Sequence, residues 1–200
     1  MGQGNINKKL AKEILFELKE IFDSNKVKFF LAFGTCLGAI REKDFIDNDD
    51  DIDLGFFENA DFNKLKKEFV EKGYKLYPHN LKGAELSLVK EGLKIDLAKY
   101  YKSKDIYYCY SFNSKCIVVL PKENLYILKE IEFLGSKFLV PSLVEKYLEY
   151  TYTKSWKEKK PLYQMWVHTP NLIKKETKEE VEKYIEEGKF IIQPKERGEF

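Results

Sequence analysis

Apolar residues recur at helical spacing in several parts of the chain. Over residues 5–24 they recur every three or four positions with lysine and glutamate between them, which predicts an amphipathic helix. Residues 61–72, DFNKLKKEFVEK, have the same pattern and predict a helix that ends at Gly73. A further helix is predicted to begin at Pro141 in PSLVEKYLEYTY, because proline suits the first turn of a helix.

Short apolar runs between these segments predict strands. VKFFLAF at residues 27–33 is rich in aromatic and branched side chains and ends at Gly34, as is typical of a buried strand. Gly34 and Thr35 are expected to begin a short helix, and residues 52–57 predict a second strand. Residues 74–120 predict mostly antiparallel strands, and residues 131–140 predict a hairpin that turns at Gly135 and Ser136.

The order of these elements predicts an α+β fold. A chain of 200 residues with 44% hydrophobic content can bury one substantial core. We expect a mixed β-sheet flanked by helices, with a catalytic core over residues 1–155. Residues 156–200 are expected to form a helical and irregular C-terminal extension, with a charged helix at 177–188, that packs on the core within a single domain.

Charge and cysteine content exclude several classes of protein. Lysine and arginine number 35 and aspartate and glutamate 33, so the net charge of +2 predicts neither nucleic acid nor an anionic membrane as partner. The N-terminal residues lack an unbroken apolar run, and we expect no secretory signal or membrane span. Three cysteines without CxxC spacing indicate a reducing, cytoplasmic location; Cys109 and Cys116 could face each other across a hairpin, but reduced thiols are favoured.

Residues 44–56, DFIDNDDDIDLGF, place six aspartates within ten residues. On a strand, Asp51 and Asp53 share one face while Ile52 and Leu54 share the other. Two carboxylates this close repel each other unless a cation lies between them or one is protonated. Because no histidine is near in the sequence, oxygen ligands favour Mg²⁺, Mn²⁺ or Ca²⁺ over zinc.

A third carboxylate shows the same alternation. Asp96 in GLKIDLAKY lies between Ile95 and Leu97, so it points away from an apolar face. A lone strand aspartate is usually a surface or hydrogen-bonded residue. Together with Asp51 and Asp53, however, Asp96 predicts three carboxylates that converge on one metal site with catalytic roles.

The same aspartates permit a different interpretation, a solvated turn or a calcium loop. Asp49, Asp51 and Asp53 satisfy the DxDxD spacing of an EF-hand. An EF-hand loop then requires glycine where Leu54 stands and glutamate where Ala60 stands, so we disfavour this alternative. Two roles stay open for Asp49 and Asp50. They line the entrance to the metal site, or they have a structural or supporting role, and we favour the second.

Upstream of the aspartates, FGTCLGAI indicates a binding site for phosphate. A strand followed by Gly34, the hydroxyl of Thr35 and a helix N-terminus can hold anionic oxygens. Arg41 adds positive charge; the alternative, about equally favoured, is a surface salt bridge with an aspartate of the loop.

The stretch FGTCLGAIREKDFIDNDDDIDLGF resembles the signature of the LicD and fukutin-related family of phosphotransferases, which have the nucleotidyltransferase fold. The family's Gly-Thr or Gly-Ser, its Asp-hydrophobic-Asp and its later strand aspartate match Gly34, Thr35, Asp51, Asp53 and Asp96. VPSLVEKYLEYTYTKSW is loosely similar to the family's C-terminal segment. The chain departs from the family pattern just before the aspartates and in this C-terminal segment, where the family often has tryptophan and glycine.

The resemblance implies a CDP-activated donor, such as CDP-choline, CDP-ribitol or CDP-glycerol, and transfer of its phospho-group to a hydroxyl of a sugar or glycan. Asp51, Asp53 and Asp96 would hold Mg²⁺ or Mn²⁺, and Asp96 would also help to deprotonate the acceptor. Gly34 and Thr35 would hold the pyrophosphate, and Arg41 would neutralise phosphate or the leaving nucleotide.

Two other functions stay open at this point. One is a nucleotidyltransferase that attaches an NMP from an NTP to a small hydroxyl compound or a protein. The other is a nucleotide-binding module without catalysis.

Trp156 and Trp166 are candidates for stacking on a ligand, whereas the tyrosines of residues 100–110 are expected to pack in the protein. His79 and His168 are expected to be surface or packing residues.

Overall fold

A computed structural model of the chain describes residues 6–47, 49–57, 62–78, 86–111, 116–159 and 172–174, and positions 179, 180, 183, 184 and 187. Its helices are α1 (Lys8–Ser24), α2 (Phe33–Arg41), α3 (Phe62–Glu71), α4 (Lys122–Leu125) and α5 (Val144–Tyr152), with a 3₁₀ helix at Lys154–Lys157. Its strands are β1 (Phe29–Leu31), β2 (Asp51–Phe57), β3 (Lys75–Pro78), β4 (Leu86–Lys90), β5 (Leu93–Ser103), β6 (Ile106–Ser111), β7 (Cys116–Pro121), β8 (Leu128–Phe133), β9 (Ser136–Pro141) and β10 (Leu172–Lys174).

Within the described part of the chain, eight strands form one mixed sheet and β8 and β9 form a separate hairpin. The main path runs β1-β2-β5-β6-β7-β10, and β4 pairs with β5 and carries β3 at its other edge. β2 and β5 are parallel, while the other neighbours are antiparallel. This arrangement of a mixed sheet with helices confirms the predicted α+β class.

The alternation of apolar and polar residues along β2 determines which face is buried. Ile52 and Leu54 have no exposed surface, whereas Asp51 and Asp53 are half-buried on the opposite face. The core also receives one side of α1, where Asn7 caps the N-terminus by accepting a hydrogen bond from the Leu10 amide. Six residues of α1 are buried: Ala11, Ile14, Leu15, Leu18, Ile21 and Phe22. The predicted first helix and the carboxylate face of β2 are therefore confirmed.

Several predicted boundaries differ from the structure. The strand predicted for residues 27–33 is limited to β1, because Phe33 already begins α2. Pro141 ends β9 instead of beginning a helix; it pairs with Leu128, and α5 begins at Val144. The turn between β8 and β9 is formed by Leu134 and Gly135, both at positive φ, one residue earlier than predicted.

The end of α3 and the positions of two cysteines can also be compared with the predictions. α3 ends before Gly73, which has the positive φ of 84° that glycine adopts readily, as predicted. The register of β6 and β7 pairs Cys109 with Val118 and Ser111 with Cys116, so the two cysteines are not opposite each other. The side chains of Cys36 and Cys109 are both buried.

The residues after β9 are tied to the start and the end of α2. Phe33 has a positive φ of 37°, unusual for a bulky residue, and its amide donates a hydrogen bond of 3.0 Å to the hydroxyl of Tyr147. At the other end of α2, Arg41 binds the backbone carbonyls of Trp156 and Glu158 at 2.9 and 2.8 Å. Helix α5 and the 3₁₀ helix thus hold α2 at both ends.

The C-terminal extension is described only in part. Trp156 is 6% exposed and packs in the core, so the prediction that it offers a stacking surface is wrong. β10 pairs with β7, which attaches one described segment of the extension to the sheet. His79, Trp166, His168 and most of the predicted helix at 177–188 lie outside the described residues, and the boundary at residue 155 stays a prediction. No helix in the described ranges is long and apolar enough to span a lipid bilayer.

Gly55 allows β1 and β2 to approach closely, and this predicts an effect on stability. A Cβ atom at this position would lie 2.3–2.8 Å from ring carbons of Phe30, which is fully buried. We therefore expect Gly55→Ala to lower the free energy of unfolding by about 1–3 kcal/mol through overpacking. Thermal or urea unfolding measures the change. The same substitution should cost less in a Phe30→Leu background, and an equal cost in both backgrounds would contradict the proposed clash.

Candidate active site

The parallel pairing of β2 and β5 brings the three predicted carboxylates together. Asp53 lies directly opposite Asp96, and Asp51 lies opposite Lys94. One carboxylate oxygen from each of Asp51, Asp53 and Asp96 lies within 4.8 Å of the other two. Three oxygen ligands at this separation, with Asp96 only 8% exposed, form a donor set that fits a hard divalent cation.

The electrostatics of this cluster also favour a cation. Burial, followed by the charge of Asp96, raises the pKa of Asp51 to about 6. Burial, followed by the charges of Asp51 and Asp49, raises the pKa of Asp53 well above its usual range. A raised carboxyl pKa means that the charged form is short of compensation, and a divalent cation would supply it.

Lys94 supplies the positive charge that the described residues place inside the cluster. Its Nζ lies 3.3 Å from Asp51 Oδ2 and also contacts Asp96 Oδ2. Burial by itself lowers the pKa of Lys94, but the carboxylates of Asp96 and Asp51 outweigh it and raise the pKa above the usual value. The sequence analysis missed this residue, although its position two residues before Asp96 places both side chains on one face of the strand.

Ser87 on β4 fixes the other oxygen of Asp96. β4 pairs with the edge of β5 opposite to β2, and the register places Ser87 opposite Asp96. The Ser87 hydroxyl donates a hydrogen bond of 2.6 Å to Asp96 Oδ1. Nothing in the sequence pattern singled out this serine, because its role depends on which strand pairs with β5.

Gly34 and Thr35 hold Asp53 in place from the first turn of α2. The Gly34 amide donates a hydrogen bond of 2.8 Å to Asp53 Oδ2, and the Asp53 amide donates one of 2.8 Å to Thr35 Oγ1. A Cβ atom at Gly34 would lie 2.6 Å from Asp49 Oδ2 and 3.1 Å from Asp53 Oδ2, so a larger residue would displace these carboxylates. Thr35 is 2% exposed. The predicted contact of these two residues with phosphate stays a prediction.

Asp49 and Asp50 extend the acidic surface beside the predicted ligands. Their carboxylates and that of Asp51 form a second group with oxygens within 4.8 Å of one another. Burial, followed by the charge of Asp51, raises the pKa of Asp49 to about 7. Asp49 Oδ1 accepts a hydrogen bond from the Asp50 amide, and the Asp49 carbonyl accepts one from Ile6. The strand that begins at Asp51 agrees with our rejection of an EF-hand, whose loop leads into a helix.

Arg41 is engaged at the far end of α2 from Gly34. Its Nε donates to Glu42 at 2.7 Å, in addition to the bonds with the carbonyls of Trp156 and Glu158. The loop aspartates Asp44 and Asp47 pair instead with Lys8, at 3.1 and 2.7 Å. The alternative in which Arg41 forms a salt bridge with a loop aspartate therefore does not describe this structure. The predicted role of Arg41 toward phosphate stays a prediction.

Two solved structures align with part of this chain. The lincosamide antibiotic adenylyltransferase LnuA with bound lincomycin aligns with a TM-score of 0.49 and 18% identity, covering 70% of this chain and 82% of its own. ANT(2")-Ia in complex with adenylyl-2"-tobramycin aligns with a TM-score of 0.45 and 14% identity, covering 70% of this chain and 75% of its own.

Curated relatives are similar over most of this chain but are much longer. The ribitol-5-phosphate transferases FKTN of Macaca fascicularis and Homo sapiens are each 29% identical over 160 residues, which is 75% of this chain and 34% of theirs. An uncharacterized protein of Rickettsia typhi is 24% identical over 123 residues, 60% of this chain and 38% of its own. The chain thus spans about a third of the length of the curated relatives it matches.

The family model for the LicD/FKTN/FKRP nucleotidyltransferase domain matches residues 26–142. This range is more than half of the chain and includes every strand and helix that carries Asp51, Asp53, Asp96 and the first turn of α2. The match confirms the resemblance noted in the sequence and the predicted nucleotidyltransferase-like fold. The chain belongs to the LicD/FKTN/FKRP family.

Proposed function

We propose that this protein is a metal-dependent phosphotransferase. It moves a phospho-alditol or phosphocholine-type group from a CDP-activated donor to a hydroxyl of a cell-surface glycan or its precursor. The observation that carries the proposal is the group of three carboxylates from Asp51, Asp53 and Asp96, on neighbouring parallel strands of a LicD-family domain. The relatives named ribitol-5-phosphate transferases make ribitol phosphate the first group to test.

Asp51, Asp53 and Asp96 would hold Mg²⁺ or Mn²⁺, since their oxygens are close enough to bind one ion. Such an ion, when bound, screens the charge of the donor pyrophosphate and polarises the phosphorus that is attacked. The protein keeps the ligands in position: Gly34 and Thr35 hold Asp53 by its carboxylate and its amide, and Ser87 holds Asp96. Ligands fixed in this way lose little freedom when they bind a cation.

The transfer is a substitution at the phosphorus atom that carries the alditol or choline. The acceptor oxygen forms a bond to this phosphorus, and the bond from phosphorus to the oxygen it shares with CMP breaks. CMP leaves with the electron pair, and the proton of the acceptor hydroxyl passes to the Asp96 carboxylate.

The remaining predicted residues would contact the donor. The amides of the first turn of α2 and the hydroxyl of Thr35 lie beside Asp53, where the pyrophosphate of a bound donor would meet the cluster. Arg41 would have to exchange a carbonyl partner for phosphate, because its guanidinium now holds Trp156 and Glu158. We keep Arg41 in the proposal as a group that acts only after such an exchange.

The first prediction about the function concerns the nucleotide donor. With Mg²⁺, we expect CMP release from CDP-ribitol, CDP-glycerol or CDP-choline that depends on an acceptor sugar, because the acceptor oxygen must attack the phosphorus. A chromatographic assay of nucleotide products measures this. Release of pyrophosphate from an NTP would instead support the nucleotidyltransferase alternative. Binding of these nucleotides without any turnover would support the non-catalytic nucleotide-binding module.

The carboxylate cluster gives the second prediction. Asp51→Asn should lower turnover by about 10²–10³-fold or more, because it removes an electrostatic group at the reacting phosphate. It should not lower the melting temperature in chelator, because one of several repelling carboxylates is removed. Wild type should melt at a higher temperature with Mn²⁺ than with chelator, since a ligand of the folded state stabilises it, and Asp51→Asn should lose this shift.

Asp47→Asn is the matched control, since it removes the same charge from the same stretch at an exposed side chain that pairs with Lys8. We expect it to keep both the turnover and the Mn²⁺ shift. A Mn²⁺ shift in Asp51→Asn equal to that of wild type would rule out Asp51 as a ligand.

Thr35 gives the third prediction, on how Asp53 is positioned. Thr35→Val keeps the shape but leaves the Asp53 amide without its acceptor in a buried place, which should cost about 1–3 kcal/mol of unfolding free energy. Turnover should fall by more than about tenfold, because Asp53 loses its fixed position. Thr35→Ser keeps the hydroxyl and should restore both quantities toward wild type. Equal stability and turnover in Thr35→Val and wild type would show that the hydrogen bond is dispensable.

A further inference from the structure

Lys94 occupies the position in the carboxylate cluster that a cation would take. Its Nζ contacts Asp51 Oδ2 at 3.3 Å and also contacts Asp96 Oδ2, so it bridges residues of two different strands. Both carboxylates are predicted ligands of the same ion. An ammonium group and a divalent cation that bind the same oxygens compete with each other.

The hydrogen bonds of Asp96 make this competition direct. Oδ1 accepts the Ser87 hydroxyl and Oδ2 contacts Lys94, so each carboxylate oxygen already has a donor. Ser87 is 5% exposed and lies on a paired strand, so its hydroxyl is fixed. Oδ2 is therefore the oxygen of Asp96 that a metal ion would bind, and Lys94 has to move before the ion can bind it.

Lys94 is able to move. Its side chain is 34% exposed, whereas those of Asp51 and Asp96 are 18% and 11% exposed, so the lysine lies at the open side of the cluster. Its four-carbon stem is flexible, and its ammonium group is a point charge without a required direction of approach. A displaced ammonium group beside a pyrophosphate finds the anionic oxygens that replace the lost carboxylates.

We propose that Lys94 is an exchangeable internal counterion: a divalent cation displaces its ammonium group from Asp51 and Asp96, and the displaced group then binds the pyrophosphate of the donor. This inference rests on the proposed function, because it assumes the metal site. It goes beyond the three carboxylates by assigning a role to a residue outside them. Its consequence is that the metal alone binds weakly and binds much more tightly together with the donor.

Binding of Mn²⁺ alone tests the first half. The full chain is titrated with Mn²⁺ without nucleotide, and the free ion is measured by electron paramagnetic resonance. Lys94→Met should bind Mn²⁺ about tenfold or more tightly than wild type, because the competing charge is gone. Lys94→Arg keeps the charge and should stay close to wild type. Lys94→Gln, which keeps a polar group, should change in the same direction as Lys94→Met and serves if that variant does not fold.

Binding of inorganic pyrophosphate tests the second half. The Mn²⁺ complex of pyrophosphate is titrated by calorimetry into protein already saturated with Mn²⁺, so that Lys94 is displaced from the carboxylates before pyrophosphate binds, with no nucleoside and no turnover involved. Lys94→Met should bind this complex about tenfold or more weakly than wild type, because the ammonium group no longer meets the phosphate oxygens. The effect of one substitution thus has opposite signs for the metal alone and for the metal with pyrophosphate.

The matched control is Lys102→Met, which removes the same charge from the same strand. Lys102 is exposed and lies eight residues further along β5, roughly 26 Å at the rise of a strand. It should leave both affinities unchanged, which separates a local effect from the change in net charge.

The results distinguish the inference from the function on which it rests. Loss of Mn²⁺ binding in Asp51→Asn, together with tighter binding in Lys94→Met, supports both. If wild type and Lys94→Met bind Mn²⁺ equally, or bind pyrophosphate equally, Lys94 is not an exchangeable counterion and the inference is overturned while the metal site stands. If neither protein binds Mn²⁺, the metal-dependent function is overturned together with the inference.

Discussion

The parallel pairing of β2 with β5 is the constraint on which the candidate site depends. Side chains of like parity on two paired parallel strands project from the same face, and the register puts Asp53 beside Asp96 and Asp51 beside Lys94. A shift of β2 by one residue would turn Asp51 and Asp53 toward the core and bring Ile52 and Leu54 to the carboxylate face. The apolar face of β2 therefore fixes the geometry of the carboxylates, although it contacts no ligand.

The acidic face that results is balanced by a few specific contacts. Burial, followed by the charges of neighbouring carboxylates, raises the pKa values of Asp51 and Asp53. Lys94 offsets part of the repulsion, while the amide of Gly34 and the hydroxyl of Ser87 each bind one carboxylate oxygen. The acidic face thus favours positive charge while its carboxylates are held in place, a combination that suits the proposed metal-dependent transfer of a phospho-group.

Patterns within one segment were enough to predict α1, α2, α3, α5, the acidic strand and the third aspartate. The period of two around Asp51, Asp53 and Asp96 is a local property, and burial of the intervening residues enforces it. The roles of Lys94 and Ser87 depend on their neighbours in space, since Lys94 contacts Asp51 across the pairing of β2 with β5 and Ser87 faces Asp96 across the pairing of β4 with β5. Trp156 was misjudged for the same reason: its polar neighbours in sequence are not its neighbours in space.

The hydrogen bond between Phe33 and Tyr147 bears on where this domain can be cut. The family model ends at residue 142, yet the amide that opens α2 has its partner in α5, and Arg41 at the other end of α2 holds the carbonyl of Glu158. A fragment trimmed to the matched range would lose the Tyr147 hydroxyl that accepts from the Phe33 amide and the two backbone carbonyls that accept from Arg41. The smallest piece worth expressing for crystallography or directed evolution therefore extends past residue 158.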